Sequence, residues 1–302
     1  MTTTVTNSIG FIGLGVMGSP MARHIAGGLR EGELLHIWAR RSDSGADLVA
    51  AGAVRHDSPR SLASAVGAIV FMVPEFADVL AVLEGEDGVL AGAGDLVVVV
   101  SSTTSPAQMR ELDRDLRART AGRVRVVDAP VSGGEEGAVQ GALSIMLGGE
   151  EADVAAAARF LSHTGRARHL GPVGSGQLAK ACNQMVVAAT VNALAEAAVV
   201  AERSGMDVAS MFDALNAGYA ASRVLEVKAR RFVEHDHHPS GPARFMIKDL
   251  GYAREEAART GTVVEQTDLL HAIFSRVTAD GLGDQDTSVL QEFIERRSPL
   301  PG

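Results

Sequence analysis

The chain has 302 residues, 46% of them hydrophobic and 22% charged, which are proportions of a globular protein of about two domains. A net charge of −9, with no lysine- or arginine-rich block, argues against nucleic acid or an anionic membrane as partner. Cys182 is the single cysteine, so no intrachain disulfide can form and a reducing compartment is expected. The opening MTTTVTNS lacks the basic start of a signal peptide and the arginines of a transit peptide, so the expected location is cytoplasmic.

Residues 8–12 form a short apolar run that leads into Gly13-Leu14-Gly15-Val16-Met17-Gly18, and residues 20–27 read as helix. Strand, G-x-G-x-x-G and helix in that order is the context of a dinucleotide site. Gly13 allows a tight turn, Gly15 lets a pyrophosphate come close, and Gly18 lets helix and strand pack. The competing reading is a glycine-rich structural turn. A second strand is expected at 34–38. Its end carries Ala39-Arg40-Arg41-Ser42, with no acid at the tip for a ribose hydroxyl. Two guanidinium groups there suit a 2′-phosphate, so NADP is expected over NAD. Alternatively Arg40 and Arg41 are solvated charges and Asp43 serves the ribose.

Further buried strands are expected at 68–73, ending at Val73-Pro74, at 96–100, ending in Ser101-Ser102-Thr103-Thr104, and at 124–127, ending in Asp128. Such near-continuous apolar strands are what a parallel sheet covered on both faces requires. Residues 144–147 read as one more. Ser132-Gly133-Gly134 puts backbone N–H groups beside a hydroxyl, either a nest for a carboxylate or a flexible loop.

Residues 174–205 read as one helix, roughly 42 Å long between residues 176 and 203, with Ser175 as N-cap and Gly205 just past its end. Its middle is apolar on every face, which predicts burial on every face. Polar interruptions make it a poor membrane span. Lys180, Asn183 and Gln184 share one face of its first turns, where they either enter a wet cleft or are simply solvated. Helices are expected at 207–216, 220–233, 247–260, 265–279 and 287–297. The chain therefore divides into an α/β dinucleotide-binding domain (7–171) and an all-α domain (172–302). The His235–His238 run is read as a solvated loop, and no metal is expected.

Four separated stretches together resemble the β-hydroxyacid dehydrogenases: GFIGLGVMGSPMA (10–22), DAPVSGGEEGAVQGALSIMLGG (128–149), GSGQLAKACNQ (174–184) and IKDL (247–250). The resemblance runs nearly end to end. It implies a Rossmann-type first domain and hydride exchange between a nicotinamide and a small β-hydroxy acid or semialdehyde. By the same resemblance Lys180 is the catalytic proton donor and acceptor. Ser132, Gly133 and Gly134 hold the substrate carboxylate, with Asn183 and Gln184 beside it. Val73, Pro74, Thr103 and Lys248 line the cofactor, and Asp249 positions Lys248. The Asn183-Gln184 pair and residues 220–229 and 279–290 look closer to the tartronate semialdehyde reductases than to the 3-hydroxyisobutyrate dehydrogenases. A homodimer or homotetramer is expected, because so much apolar helix needs cover. Imine reduction, phosphosugar decarboxylation and a purely cofactor-binding role are the competing readings. The lysine argues against the first and last; Asn183, where the phosphosugar branch uses histidine, argues against the second.

Overall fold

The computed structural model describes residues 8–299. The chain forms two compact units, Met1–Lys180 and Ala181–Gly302. In the first, strands and helices alternate: β1 (Ile9–Ile12), α1 (Gly18–Gly28), β2 (Leu35–Trp38), α2 (Ala46–Ala50), β3 (Val54–Arg55), α3 (Pro59–Ala63) and β4 (Ala68–Phe71). They continue with α4 (Phe76–Leu83), α5 (Val89–Gly92), β5 (Leu96–Val100), α6 (Pro106–Thr120) and β6 (Val124–Asp128). These six strands are all parallel, in the order β3-β2-β1-β4-β5-β6. That order, with its reversal between β1 and β4, is the doubly wound dinucleotide-binding arrangement.

Period-two alternation splits the strand side chains between two cores. Ile9, Phe11, Ile37, Val70, Val97 and Val99 pack with Met21 and Ile25 of α1 on one face. Ile12, Ile69, Phe71, Val98, Val100 and Val126 pack with Leu62, Leu83, Met109 and Leu116 on the other. A smaller sheet follows, from β7 (Val131–Ser132), α7 (Gly134–Val139), β8 (Leu143–Leu147), α8 (Glu151–Leu161) and β9 (Gly165–His169). Its order is β7-β8-β9, antiparallel then parallel.

The expected strand at 68–73 stops at Phe71. The physical reason is local: both backbone groups of Val73 are taken by the Ser102 hydroxyl, which accepts from its N–H at 3.0 Å and donates to its carbonyl at 2.7 Å. The chain therefore leaves the ladder one residue after Met72, whose N–H still reaches Ile12 O at 2.8 Å.

The long helix, α9, spans Ser175–Arg203 and links the two units. The second unit is all helical: α10 (Val208–Asn216), α11 (Arg223–Glu234), α12 (Phe245–Thr260), α13 (Glu265–Ala279), a 3₁₀ turn (Thr287–Val289) and α14 (Leu290–Arg297). Asp207 and Ser222 cap α10 and α11 through the N–H groups of Ser210 and Leu225. Ala188, Val191, Ala195 and Ala198 of α9 pack against Phe212, Phe232, Leu250, Phe274 and Phe293.

Three expectations need correction. α9 is not buried all round: Val186 and Val200 are 66% and 65% exposed, because the helices of this unit cover only one side of it. By length and composition α9 is also sufficient to cross a membrane, despite its polar interruptions. And His237 is not solvated; it is buried, with Nδ1 on Ser288 Oγ at 2.9 Å, because the chain after α11 turns inward once His235 adopts a left-handed φ of 49°. His235 itself lies between Glu202 and Glu295, at 3.3 and 3.6 Å.

Candidate cofactor and catalytic site

At the carboxyl end of β1 the three glycines do three different things. Gly13 has φ of 101°, and a Cβ there would stand 2.2 Å from Met72 O. A Cβ on Gly18 would stand 1.8 Å from Gly13 O. A Cβ on Gly15 would meet nothing within 4 Å. The first two are required by the fold itself. Nothing in the fold itself calls for glycine at position 15. Leu14 is buried beneath the loop, Met17 is half-buried, and Val16 is exposed. α1 opens with no side-chain cap at Met17 and no acid in its first turn. Ser19 N–H is taken by Gly15 O at 2.9 Å and Pro20 has no N–H, so it is chiefly the positive dipole end, unopposed by any acid, that suits an anion such as the pyrophosphate of a dinucleotide.

Arg40 and Arg41 follow β2, and both are exposed. Arg40 meets Asp78 at 3.3 Å, and Arg41 donates to Ser44 Oγ at 3.3 Å. Val73 and Pro74 follow β4, beside the point where strand order reverses. Thr103 lies after β5 and is half-buried. The loop residues read from the sequence are therefore assembled along the carboxyl edge of one sheet. Ser102, read from the sequence only as part of the polar end of β5, ties the ends of β4 and β5 together. Its hydroxyl bonds span 29 residues, a pairing that no local pattern announces.

Ser132 ends β7 and is half-buried, while Gly133 and Gly134 are exposed, with φ of 139° and 62°. The stretch forms the turn between β7 and α7. Lys180, the last residue of the first unit, is buried at 8% exposure. Asp128, at the end of β6, is fully buried. Burial pushes its carboxyl up to about 6, against the opposing pull of backbone N–H bonds from Gly174 and Gln177. Ser175, expected as the N-cap of α9, is not the residue that caps it; Asp128 takes that role from a distance of 46 residues in sequence.

The second unit contains its own polar chain. Asn183 Nδ2 donates to Gln184 Oε1 at 3.0 Å, and Gln184 Nε2 donates to Asp249 Oδ2 at 2.6 Å. Lys248 donates to Asp249 Oδ1 at 3.3 Å, with its ammonium 5.8 and 5.7 Å from the Phe245 and Tyr252 rings. Both oxygens of Asp249 accept, so Gln184 must present its NH₂ to Asp249 and its oxygen to Asn183. Four residues of the resemblance thus form one directional network.

Comparison with known proteins identifies the family. Residues 8–174 match the model of the NAD-binding domain of 6-phosphogluconate dehydrogenase. Residues 174–294 match that of the NAD-binding region of NADP-dependent 3-hydroxyisobutyrate dehydrogenase. A probable 3-hydroxyisobutyrate dehydrogenase-like protein of Arabidopsis thaliana is 36% identical over 95% of this chain and 87% of its own. The 2-hydroxy-3-oxopropionate reductase of Escherichia coli is 34% identical over 95% and 97%. The crystal structure of a 3-hydroxyisobutyrate dehydrogenase from Salmonella typhimurium superposes with a TM-score of 0.82 at 28% identity, covering 95% and 99% of the two chains. The chain belongs to the β-hydroxyacid dehydrogenase family, as an NAD(P)-binding oxidoreductase of the 3-hydroxyisobutyrate dehydrogenase type.

Proposed function

We propose that the enzyme is an NADP-preferring reductase of a small carboxylate-bearing semialdehyde. Tartronate semialdehyde (2-hydroxy-3-oxopropionate) is the first choice, and the 3-hydroxyisobutyrate couple is the alternative. The observation that carries the reading is Lys180: a buried lysine at the start of a helix whose tip is bonded to the carboxyl edge of the dinucleotide-binding sheet. The bound nicotinamide supplies the hydride. Lys180 Nζ gives the proton to the aldehyde oxygen, yielding a primary alcohol, and takes it back in the reverse direction. Ser132 Oγ and the N–H groups of Gly133 and Gly134 hold the carboxylate. Asn183, one N–H committed to Gln184, offers its Oδ1 to a hydroxyl donor on the substrate. That polarity favours a hydroxyl over a methyl beside the aldehyde, which is the difference between tartronate and methylmalonate semialdehydes.

Support for NADP comes from Arg40 and Arg41, exposed at the end of a strand that carries no acid at its tip. Steady-state rates with NADPH and NADH against tartronate, methylmalonate and succinate semialdehydes test both choices. The expected result is the highest kcat/KM for tartronate semialdehyde with NADPH. Arg40→Ala combined with Arg41→Ala should lower the NADPH-to-NADH preference by roughly tenfold or more, the loss of at least one charge-assisted phosphate contact. An unchanged preference means that the arginines do not read the phosphate.

Our reading of the assembly is a cytoplasmic homodimer or homotetramer without nucleic-acid or membrane partners, joined through the exposed side of α9. Val186, Ala193 and Val200 line that side, with Ala189 and Ala197 partly exposed between them and Thr190 and the exposed Glu196 along its edges. The spacing is symmetric about Ala193, so an antiparallel second copy would set Val186 on Val200 and Ala189 on Ala197. Self-complementarity of this kind is what a two-fold interface needs. Val186→Glu together with Val200→Glu should shift the particle to monomer in light scattering. A particle of unchanged mass would place the interface elsewhere.

A further inference from the structure

The first turn of α9 has four backbone N–H groups with no partner inside the helix. Asp128, at the end of β6, accepts from the N–H of Gly174 and of Gln177, both at 2.7 Å. Gly174 O accepts the first helical bond, from Leu178 N, so these are the N-cap and third positions. They are the two donors that a local capping box would satisfy, here served by one carboxylate from another strand. Gln177 is 1% exposed and reaches in a different direction. Its Nε2 donates to Ser102 O at 2.7 Å, and its Oε1 accepts from Thr104 N at 3.0 Å. One turn of helix is thus bonded to the ends of both β5 and β6.

The fit around this turn has no slack. A Cβ on Gly176 would stand 2.2 Å from Met146 O, and one on Gly148 would stand 2.4 Å from Asp128 Oδ1. Lys180 follows Gln177 by three residues, on the next turn of the same face. The carboxylate fixes how far the helix tip advances toward the sheet. The amide, bonded at both its ends to backbone, fixes the rotation of the helix about its axis. Either bond set alone would leave one of these free.

We propose that Asp128 and Gln177 are positioning residues for Lys180, setting the height and rotation of the first turns of α9 and thereby the placement of the lysine Nζ. The proposal rests on Lys180 as the proton donor. Neither residue needs to touch the substrate; each acts through the helix it anchors. Asn at 128 replaces one acceptor oxygen with an NH₂ that faces a backbone N–H. Met at 177 keeps the length of the side chain and removes both of its hydrogen bonds.

The test measures kcat, KM and NADPH affinity for Asp128→Asn and Gln177→Met, alone and combined with Lys180→Ala. Displacement of a reacting group by about 1 Å costs on the order of 10²-fold, so kcat should fall by roughly 10- to 100-fold while NADPH affinity, read by fluorescence titration, holds. In the Lys180→Ala background neither substitution should lower the residual rate further, because residues that act through one group are not additive. Normal kcat in Gln177→Met overturns the proposal, as does full multiplicative loss in the lysine-free background. If Asp128→Asn does not fold, Gln177→Met decides the matter alone. A Lys180→Ala enzyme that turns over near the parent rate removes the donor assignment, and this proposal with it. An inactive Lys180→Ala beside a fully active Gln177→Met removes only the positioning role.

Discussion

Replacing Lys180 with alanine is expected to lower kcat by about 10²- to 10⁴-fold, the usual share of a positioned general acid, and to leave NADPH affinity within a few-fold. The two halves of that expectation come from separate parts of the molecule. The glycine loop, the α1 N-terminus and the arginines after β2 require nothing of α9 for their own geometry, so the cofactor half is preserved. The proton half has no substitute in the same turn: Gln177 is committed at both ends of its amide, and Leu178, Ala179 and Ala181 carry no proton. The lysine is buried, so bulk water should replace it poorly. The measurement pairs steady-state turnover with fluorescence titration of NADPH. Lost binding alongside lost turnover would mean that the substitution has disturbed the site as a whole. Turnover near the parent rate would move the donor role to another group.

The parts of this molecule that were legible in the sequence are those in which neighbours decide the outcome. β5 is five apolar residues and came out at the expected bounds, and the 265–279 helix did likewise. The glycine loop was legible as a spaced pattern, although of its three glycines only Gly18 answers a demand made within a few residues of it, at Gly13 O, while Gly13 makes room for the distant Met72 O. Cap assignment fared unevenly for the same reason. Asp207 caps its own helix, whereas at α9 that role falls not to Ser175 but to a carboxylate 46 positions from Gly174. Gln177 is joined to Ser102 across 75 residues, and in the sequence it is one more polar side chain beside a lysine. The sidedness of α9 was illegible for a different reason. Its middle carries only three polar residues, Thr190, Asn192 and Glu196, too few to set a clear phase, although none of the three is buried. The short strand β9, Gly165–His169, escaped because its alternation of arginine and small residues does not read as a strand.

The glycine loop supports a prediction that separates fold from binding. Gly13→Ala and Gly18→Ala should each cost roughly 1–3 kcal/mol of stability, from a disallowed backbone in the first and a backbone clash in the second. For a chain of this size that is a fall in melting temperature of about 2–4 °C per kcal/mol. Gly15→Ala should do the opposite. Its new methyl meets nothing within 4 Å, so the melting temperature should hold. Yet the space it fills is the one through which a pyrophosphate must approach the α1 N-terminus. Cofactor affinity should therefore fall by about tenfold or more, since each 1.4 kcal/mol of lost contact is a factor of ten. Thermal melts with and without NADPH read both quantities in one experiment. The parent protein should be stabilised by the cofactor. The Gly15→Ala variant should start from the same apo melting temperature and gain much less. A full gain in that variant would place the pyrophosphate away from Gly15, and an unchanged apo melt for Gly18→Ala would mean that the loop can open to relieve the contact with Gly13.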